Sequence, residues 1–261
     1  MTTVDFITGL FCRIDDRLQA VPQHPQAHLA PSEVVTLALL FALKGVGDRA
    51  FYRWLVRDYR PLFPRVPERT RLFRLCATHA DGAAAFLADP TILGVADSDG
   101  IELLHPYHEG RTAHQIGRKG LSNHRWIIGA KRGVVLNKWG LVCAWAADTA
   151  NVHDSAFQPL VRRFVEEMIV LTDQGFGRKD GTPPNMKVCG RGTWNDRMVV
   201  ETLFSMLTTV CHCKKVLHRV WRYFTMRLAF TVAAFNVLVQ WDGLPLDDHG
   251  EAHLSIAQFS L

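Results

Sequence analysis

The stretch "TILGVADSDGIEL", residues 91–103, carries two aspartates, Asp97 and Asp99, inside an otherwise apolar run. The apolar residues before them predict a buried strand over 91–98. Alternation along a strand places Asp97 and Asp99 on the same side, so either could be a metal ligand. Carboxylates at the end of a buried strand are costly unless a positive group meets them. The stretch therefore predicts a sheet with an acidic site that needs a metal ion or a basic side chain.

The segments that follow predict the rest of this sheet. Residues 124–150 contain two β-rich runs around a turn at 137–140, which is typical of a hairpin. Residues 152–168 have the pattern of an amphipathic helix, "IVLTDQGF" (169–176) predicts a strand ending at Asp173, and "NMKVCG" (185–190) a short strand. Helices are predicted over 193–212 and 217–241. This order predicts an α/β fold with a mixed sheet flanked by helices, which resembles the RNase H-like plan.

The first 88 residues predict helices only, at 31–45, 48–59 and 67–79. Short turns containing glycine or proline join them, as in a DNA-binding helix-turn-helix, but a plain helical bundle has the same pattern. We therefore predict three parts: a helical region for DNA binding or dimerisation (1–88), a catalytic domain (89–241) and a polar C-terminal tail (242–261).

The charge distribution favours a polyanionic partner. The chain has 261 residues, 48% of them hydrophobic, and a net charge of +5, which is typical of a soluble globular protein. Residues 110–147 and 202–241 contain basic residues and no acid. Such tracts are either solvated faces or contacts to a phosphate backbone. The candidates for DNA contact are Arg118, Lys119, Arg125, Lys214, Lys215, Arg219 and Arg222.

Other classes of protein and site are disfavoured. No secretory segment opens the chain and its longest apolar stretch is too short for a bilayer, so we expect a cytoplasmic protein without a membrane partner. Cys211, His212, Cys213 and His218 suggest zinc, but a second paired half is missing and the pattern there is helical.

Three carboxylates are predicted to converge. Asp97 and Asp173 follow apolar strands, and Glu201 lies on a helix whose opposite face is apolar. Carboxylates brought together repel strongly unless they hold protons or cations. Oxygen ligands suit Mg²⁺ or Mn²⁺, and a pair of such ions supports phosphodiester chemistry. The sequence therefore predicts a site for two divalent cations at these residues.

Four motifs together resemble the DDE transposases of bacterial insertion sequences: "VADSDGIEL", "AADTANVHD", "VLTDQGF" and "WNDRMVVETLFSML". The resemblance covers residues 1–241. It implies that Asp97, Asp173 and Glu201 are the catalytic and metal-binding triad. It also implies double-stranded DNA as partner (terminal inverted repeats and target DNA), a homodimer in the active complex, and action at the bacterial nucleoid.

The resemblance extends to residues around the triad. Trp194, Arg197 and Glu201 fit the family's pattern on the glutamate helix, whereas the family's lysine position is Thr208. Arg197 lies four residues from Glu201 and is predicted either to bind a DNA phosphate or to pair with Glu201. Trp194 either stacks on an unpaired base or is buried. Asp99, His153 and Asp154 are predicted to contact and orient the metal-binding residues, although a helix cap explains Asp154 equally well.

Two alternatives remain open from the sequence. "DSDGI" after a strand also resembles the nucleophile loop of haloacid-dehalogenase phosphatases, but the later aspartate pair and the repeated strand–helix alternation of that family are missing. The second alternative is a catalytically silent DNA-binding protein derived from a transposase. The presence of all three acids argues against it.

Overall fold

The N-terminal part of the chain is helical, as predicted. The computed structural model describes residues 1–111, 115–122, 125–178, 181–190, 197–214, 218–244, 246–248, 252 and 254–259. The helices of this part are α1 (Thr3–Leu18), α2 (Pro31–Lys44), α3 (Asp48–Asp58) and α4 (Arg69–Thr78). Most of α2 is buried because its sequence is apolar on every side, and it ends at Gly45, whose φ of 65° is the left-handed conformation that glycine tolerates best.

A mixed sheet follows. Its strands are β1 (Leu93–Leu104), β2 (Arg118–Ser122), β3 (Arg125–Asn137), β4 (Val142–Thr149), β5 (Ile169–Thr172) and β6 (Met186–Val188). The order is β2-β3-β1-β5-β6, with β4 also paired to β3. β1 pairs antiparallel with β3 on one side and parallel with β5 on the other, and β5 and β6 are parallel. The predicted hairpin is confirmed, since β3 and β4 pair antiparallel. The chain is therefore α/β with a mixed sheet.

Strand β1 is longer than predicted. It pairs with β5 only over Leu93–Val95, but its pairing with β3 continues to Leu104. The prediction that the strand ends near Asp97 was therefore wrong, because the long antiparallel partner extends it. Asp97 instead lies two residues beyond the last pair with β5, where that edge of β1 becomes open.

The helix predicted over 152–168 is mostly absent. A 3₁₀ helix (Asp154–Phe157) leads into α5 (Gln158–Arg162), which is only five residues long. The amide of Asn185 donates to the carbonyl oxygen of Val161 at 2.9 Å, and the Phe164 amide also donates to it. These bonds occupy an acceptor that a longer helix would need.

Two further helices, α6 (Arg197–Thr209) and α7 (Trp221–Val239), complete the fold. The larger hydrophobic core joins residues of α1, α2 and α4 to α6, α7 and one face of the sheet. It therefore crosses the boundary predicted at residue 88. Ile256 and Phe259 from the segment predicted as a polar tail are buried in the same core. In the part of the chain that is described, no helix is long and apolar enough to cross a bilayer.

Candidate active site

A cleft of about 630 Å³ lies between the sheet and α6. Five carboxylates line it, together with two lysines among the described residues: Asp97, Asp99, Asp154, Asp173 and Glu201, with Lys131 and Lys214. The three acids predicted as a triad thus line one cavity, although 104 residues separate the first from the last in the sequence. The cavity is acidic overall.

Asp97 and Asp173 enter the cleft from neighbouring strands. Val95 and Ile101 on the same side of β1 belong to the larger core, so strand alternation turns Asp97 toward the face on which α6 packs. One carboxylate oxygen of Asp97 accepts from the Ser98 amide at 2.7 Å. Asp173 follows directly after β5, and its Oδ1 accepts from the Gly175 amide at 3.0 Å. Both carboxylates are half-buried, so they remain reachable from the cleft.

Glu201 enters from the opposite wall. It lies on the exposed side of α6, whereas Leu203 and Leu207 of the same helix are fully buried. The predicted amphipathic character of this helix is therefore confirmed. Glu201 also borders an adjoining groove of about 420 Å³.

Gly175 brings two carboxylates close together. A Cβ atom at this position would come within 2.8 Å of Asp154 Oδ2 and 3.1 Å of Asp173 Oδ1. A side chain at residue 175 would therefore push against both acids. The absence of a side chain allows Asp154, which follows β4, to approach Asp173, which follows β5.

Asp99 is held in a buried ion pair. Its Oδ1 accepts from Arg132 Nη2 at 2.9 Å and from Nε at 3.1 Å, while its Oδ2 is buried without a hydrogen-bond partner among the described residues. Arg132 Nη1 also lies 3.2 Å from the sulfur of Cys213. Burial alone would lower the pKa of Arg132, but the electrostatic interactions and hydrogen bonds with Asp99 and Cys213 together outweigh burial and raise it. Asp99 therefore has a structural role, since it neutralises the buried charge of Arg132 beside the cleft.

Asp154 is held by two side chains, Ser98 of β1 and Lys131 of β3, that alternate along their strands with Asp99 and Arg132. It accepts from the hydroxyl of Ser98 and, at 3.0 Å, from Lys131 Nζ. Lys131 is almost fully buried and also donates to the Val152 carbonyl at 2.9 Å. The cap predicted at Asp154 is instead made by His153, whose Nδ1 accepts from the Ser155 amide at 3.3 Å. Lys131 and Arg132 were not predicted as site residues. The pair of Arg132 with Asp99 depends on the register between β1 and β3, and the partners of Lys131 lie in the segment after β4.

The β2–β3 hairpin carries the predicted basic side chains beside the cleft. Leu121 and Ser122 of this hairpin line the cleft, and Leu121 is 51% exposed. Lys119 lies over the exposed ring of Trp126, 5.6 Å from its centroid. Arg118, Lys119 and Arg125 are exposed, and Arg125 forms a 2.7 Å ion pair with Glu102.

The other residues predicted to contact DNA or to surround the triad do not all lie in the cleft. Lys214 and Thr208 line the cleft, and the Thr208 hydroxyl donates to the Phe204 carbonyl at 2.7 Å. Arg219 lines another pocket, and Arg222 lies 3.4 Å from the Thr78 hydroxyl. Trp194, Lys215 and the side chain of Arg197 lie outside the described part of the chain.

Two cysteines near the cleft are buried. Cys211 and Cys213 are 0% and 2% exposed, and burial raises the pKa of the Cys211 thiol to about 12. Within the described ranges, no three carboxylate, histidine or cysteine side chains are grouped closely enough to hold a metal ion. The acids share the cleft without forming a ready-made ligand cluster.

Comparisons with models of protein families, with curated proteins and with solved structures find no match for this chain.

Proposed function

We infer that this protein is a DNA transposase of the DDE type. It cuts the phosphodiester bonds at the ends of an insertion sequence and joins the resulting 3′ ends to target DNA. The observation that carries this proposal is the single cleft lined by Asp97, Asp173 and Glu201. These acids come from two strands and a helix, and the sequence motifs around them resemble those of the DDE transposases.

The sheet supports an RNase H-like assignment for the catalytic part. β1 lies in the middle, with antiparallel partners on one side and parallel partners on the other. This arrangement places two of the acids near each other, because Asp97 lies past the last β1–β5 pair and Asp173 directly follows β5. Open strand ends in α/β sheets are a common place for ligands.

The residues of the cleft suit Mg²⁺ or Mn²⁺. Asp97, Asp173 and Glu201 would hold two such ions, and all three supply the hard oxygen ligands that these cations prefer. Asp154 Oδ2 and Asp173 Oδ1 both lie beside Gly175 in the same cleft, so Asp154 adds a further acidic oxygen next to the triad. When bound, the ions supply the electrophilic stabilisation that phosphoryl transfer requires.

The chain's own residues then act on the DNA. Lys214 contributes positive charge at the cleft and would hold a phosphate of the bound strand. Lys131 and Ser98 keep Asp154 in place beside Asp173, which limits the movement of the acids. Hydrolysis at the element's end breaks the P–O3′ bond and leaves a 3′-hydroxyl and a 5′-phosphate. That hydroxyl attacks a target phosphodiester in line and releases the target's own 3′-hydroxyl, with no covalent protein intermediate.

The surroundings of the cleft suit a duplex. The exposed cations Arg118 and Lys119 lie on the hairpin whose Leu121 and Ser122 line the cleft. Contacts from these cations to phosphates give affinity that does not depend on the acids. We further propose that two copies act together, since two element ends must be joined, and that they act on DNA in the bacterial cytoplasm.

Asp99 argues against the phosphatase alternative. In a haloacid-dehalogenase loop this second aspartate serves as the general acid. Here it is 6% exposed and bonded twice to Arg132 through one oxygen, so it is poorly available for proton transfer to a substrate.

The test is cleavage of labelled linear DNA that carries the inverted repeats flanking the gene, in the presence of Mn²⁺. We expect nicking and joining by the wild-type protein and at least a roughly 10³-fold loss in Asp173→Asn. The matched control is Asp148→Asn, which changes an exposed aspartate outside the cleft and should cut normally.

Three other results are informative. DNA binding without cleavage by the wild-type protein would favour the silent regulator. Hydrolysis of p-nitrophenyl phosphate without DNA chemistry would favour the phosphatase. Cleavage that survives in Asp173→Asn would contradict the assignment of the active site.

A further inference from the structure

A second pocket of about 600 Å³ lies among the helices, away from the triad. The starts of three helices form its wall: Gly47 and Asp48 of α3, Arg69 and Thr70 of α4, and Val220 before α7. The N-cap residues of these three helices, Gly47, Glu68 and Val220, make no side-chain capping hydrogen bond among the described residues. Helix N-termini carry partial positive charge and amide donors, which attract anions.

Arginines add to this charge. Arg69, Arg219 and Arg227 line the pocket, and Asp48 is the one acid among the described residues of its wall. Asp48 lies 3.7 Å from Arg69, and both side chains are partly exposed, so the contact is a weak ion pair. The pocket therefore has an excess of positive charge.

Arg227 is the residue that indicates a ligand. It is only 3% exposed, and its Nη1 and Nη2 donate to the carbonyls of Val46 and Ala42 at 3.1 and 3.4 Å. Its guanidinium lies 4.2 Å from the centre of the Phe41 ring. Its Nε is buried without a hydrogen-bond partner among the described residues. Carbonyl groups satisfy some of its donors but do not neutralise its charge, and a buried charge without a counter-ion is costly.

His218 is a second incompletely satisfied group in the wall. Its Nδ1 is buried and has no hydrogen-bond partner among the described residues. Burial and the nearby charge of Arg227 lower the pKa of His218 to about 4, so the ring is neutral at pH 7 and one of its nitrogens is a donor. Burial likewise lowers the pKa of Arg227, to about 10, which leaves it charged.

We propose that this pocket binds a phosphate group. Arg69, Arg219 and Arg227 supply charge, and the starts of α3, α4 and α7 supply amide donors. The apolar walls, Phe41, Phe73 and Tyr223, exclude water and strengthen these interactions. The phosphate comes either from the backbone of DNA or from a small phosphorylated molecule. The proposal does not depend on catalysis in the cleft.

Calorimetric titration with inorganic phosphate at constant ionic strength tests it. We expect saturable binding of one phosphate per chain. Because Arg227→Gln could fail to fold, Arg69→Gln and Arg219→Gln are the test variants, and each should weaken binding roughly tenfold through loss of a charged hydrogen bond. The matched control is Arg74→Gln, an exposed residue of α4 outside the pocket, and Asp173→Asn controls for the cleft. Both controls should bind phosphate like the wild type.

A second arm identifies the source of the phosphate. If a short DNA duplex displaces inorganic phosphate from the wild-type protein, the natural ligand is a backbone phosphate. If phosphate stays bound while the duplex binds, the natural ligand is a small phosphorylated molecule. Either outcome supports the site. Absence of saturable binding, or equal weakening by Arg74→Gln, would overturn it, and neither result would bear on DNA cleavage by the cleft.

Discussion

The acidic cleft and the arginine-lined pocket are cavities of similar volume with opposite charge. The segment that joins α6 to α7 contributes Lys214 to the cleft and His218 and Arg219 to the pocket. In the cleft, each buried cation has a carboxylate partner: Lys131 pairs with Asp154, and Arg132 with Asp99. In the pocket, buried Arg227 instead donates to the backbone carbonyls of Val46 and Ala42. The charge that remains after internal pairing therefore indicates which kind of ligand each cavity binds.

The largest expected effect is on catalysis by the cleft. Asp97→Asn should lower DNA cleavage by at least roughly 10³-fold, because it removes a negative ligand from the proposed cation site. The free energy of unfolding should change by less than about 1 kcal/mol, since Asp97 is only half-buried. Cleavage rates and urea denaturation measure the two quantities. An Asp97→Asn protein that cuts at the normal rate would remove this residue from the triad.

The same substitution two residues away should act on stability. Asp99→Asn leaves Arg132 buried without its charged partner and should cost about 3 kcal/mol of unfolding free energy. Urea denaturation of both variants makes the comparison direct. If Asp99→Asn were as stable as the wild type, the account of paired charges beneath the cleft would be wrong.

The free energy of unfolding should depend on pH through His218 of the arginine-lined pocket. The pKa of His218 is about 4 in the folded protein and near its usual value of 6.5 in the unfolded chain. Protonation therefore favours the unfolded state, so the contribution of His218 is complete above pH 6.5 and is lost as the pH falls toward 4. Its size is about 3 kcal/mol. Denaturation between pH 7 and pH 4 should show a smaller loss in His218→Asn than in the wild type, and equal losses would contradict the burial of this ring.

The smallest effect concerns the hairpin beside the cleft. Arg118→Gln or Lys119→Gln should reduce the slope of log affinity for DNA against log salt by about 1, because each change removes one phosphate contact. Arg57→Gln is the control, since Arg57 is an exposed residue of α3 already paired with Asp58. Unchanged slopes in both hairpin variants would place the duplex elsewhere.

The sequence predicted those features that depend on local pattern. Apolar runs before Asp97 and Asp173 indicated neighbouring strands, and the amphipathic pattern around Glu201 indicated its helix. The pairing of Asp99 with Arg132 depends on the register between β1 and β3, which places residues 33 apart side by side. No periodicity in a single sequence specifies that register.

Other features were missed for related reasons. α5 is short because the side-chain amide of Asn185, more than twenty residues away in the sequence, donates a hydrogen bond to the carbonyl of Val161. The pocket around Arg227 depends on how four helices meet. The acceptor carbonyls belong to Ala42 of α2 and to Val46, which follows α2, and the N-terminal ends of α3, α4 and α7 form the wall. The apolar pattern of α7 predicted its burial but not which of its cations is enclosed.

We propose that Asp97, Asp173 and Glu201 together form a site for divalent cations. Titration of Mn²⁺ followed by electron paramagnetic resonance measures this without DNA or activity. We predict saturable binding by the wild-type protein, roughly tenfold or greater weakening in each of Asp97→Asn, Asp173→Asn and Glu201→Gln, and no change in Asp148→Asn. Mn²⁺ binding that is absent from the wild type, or that is the same in all four variants, would contradict the claim.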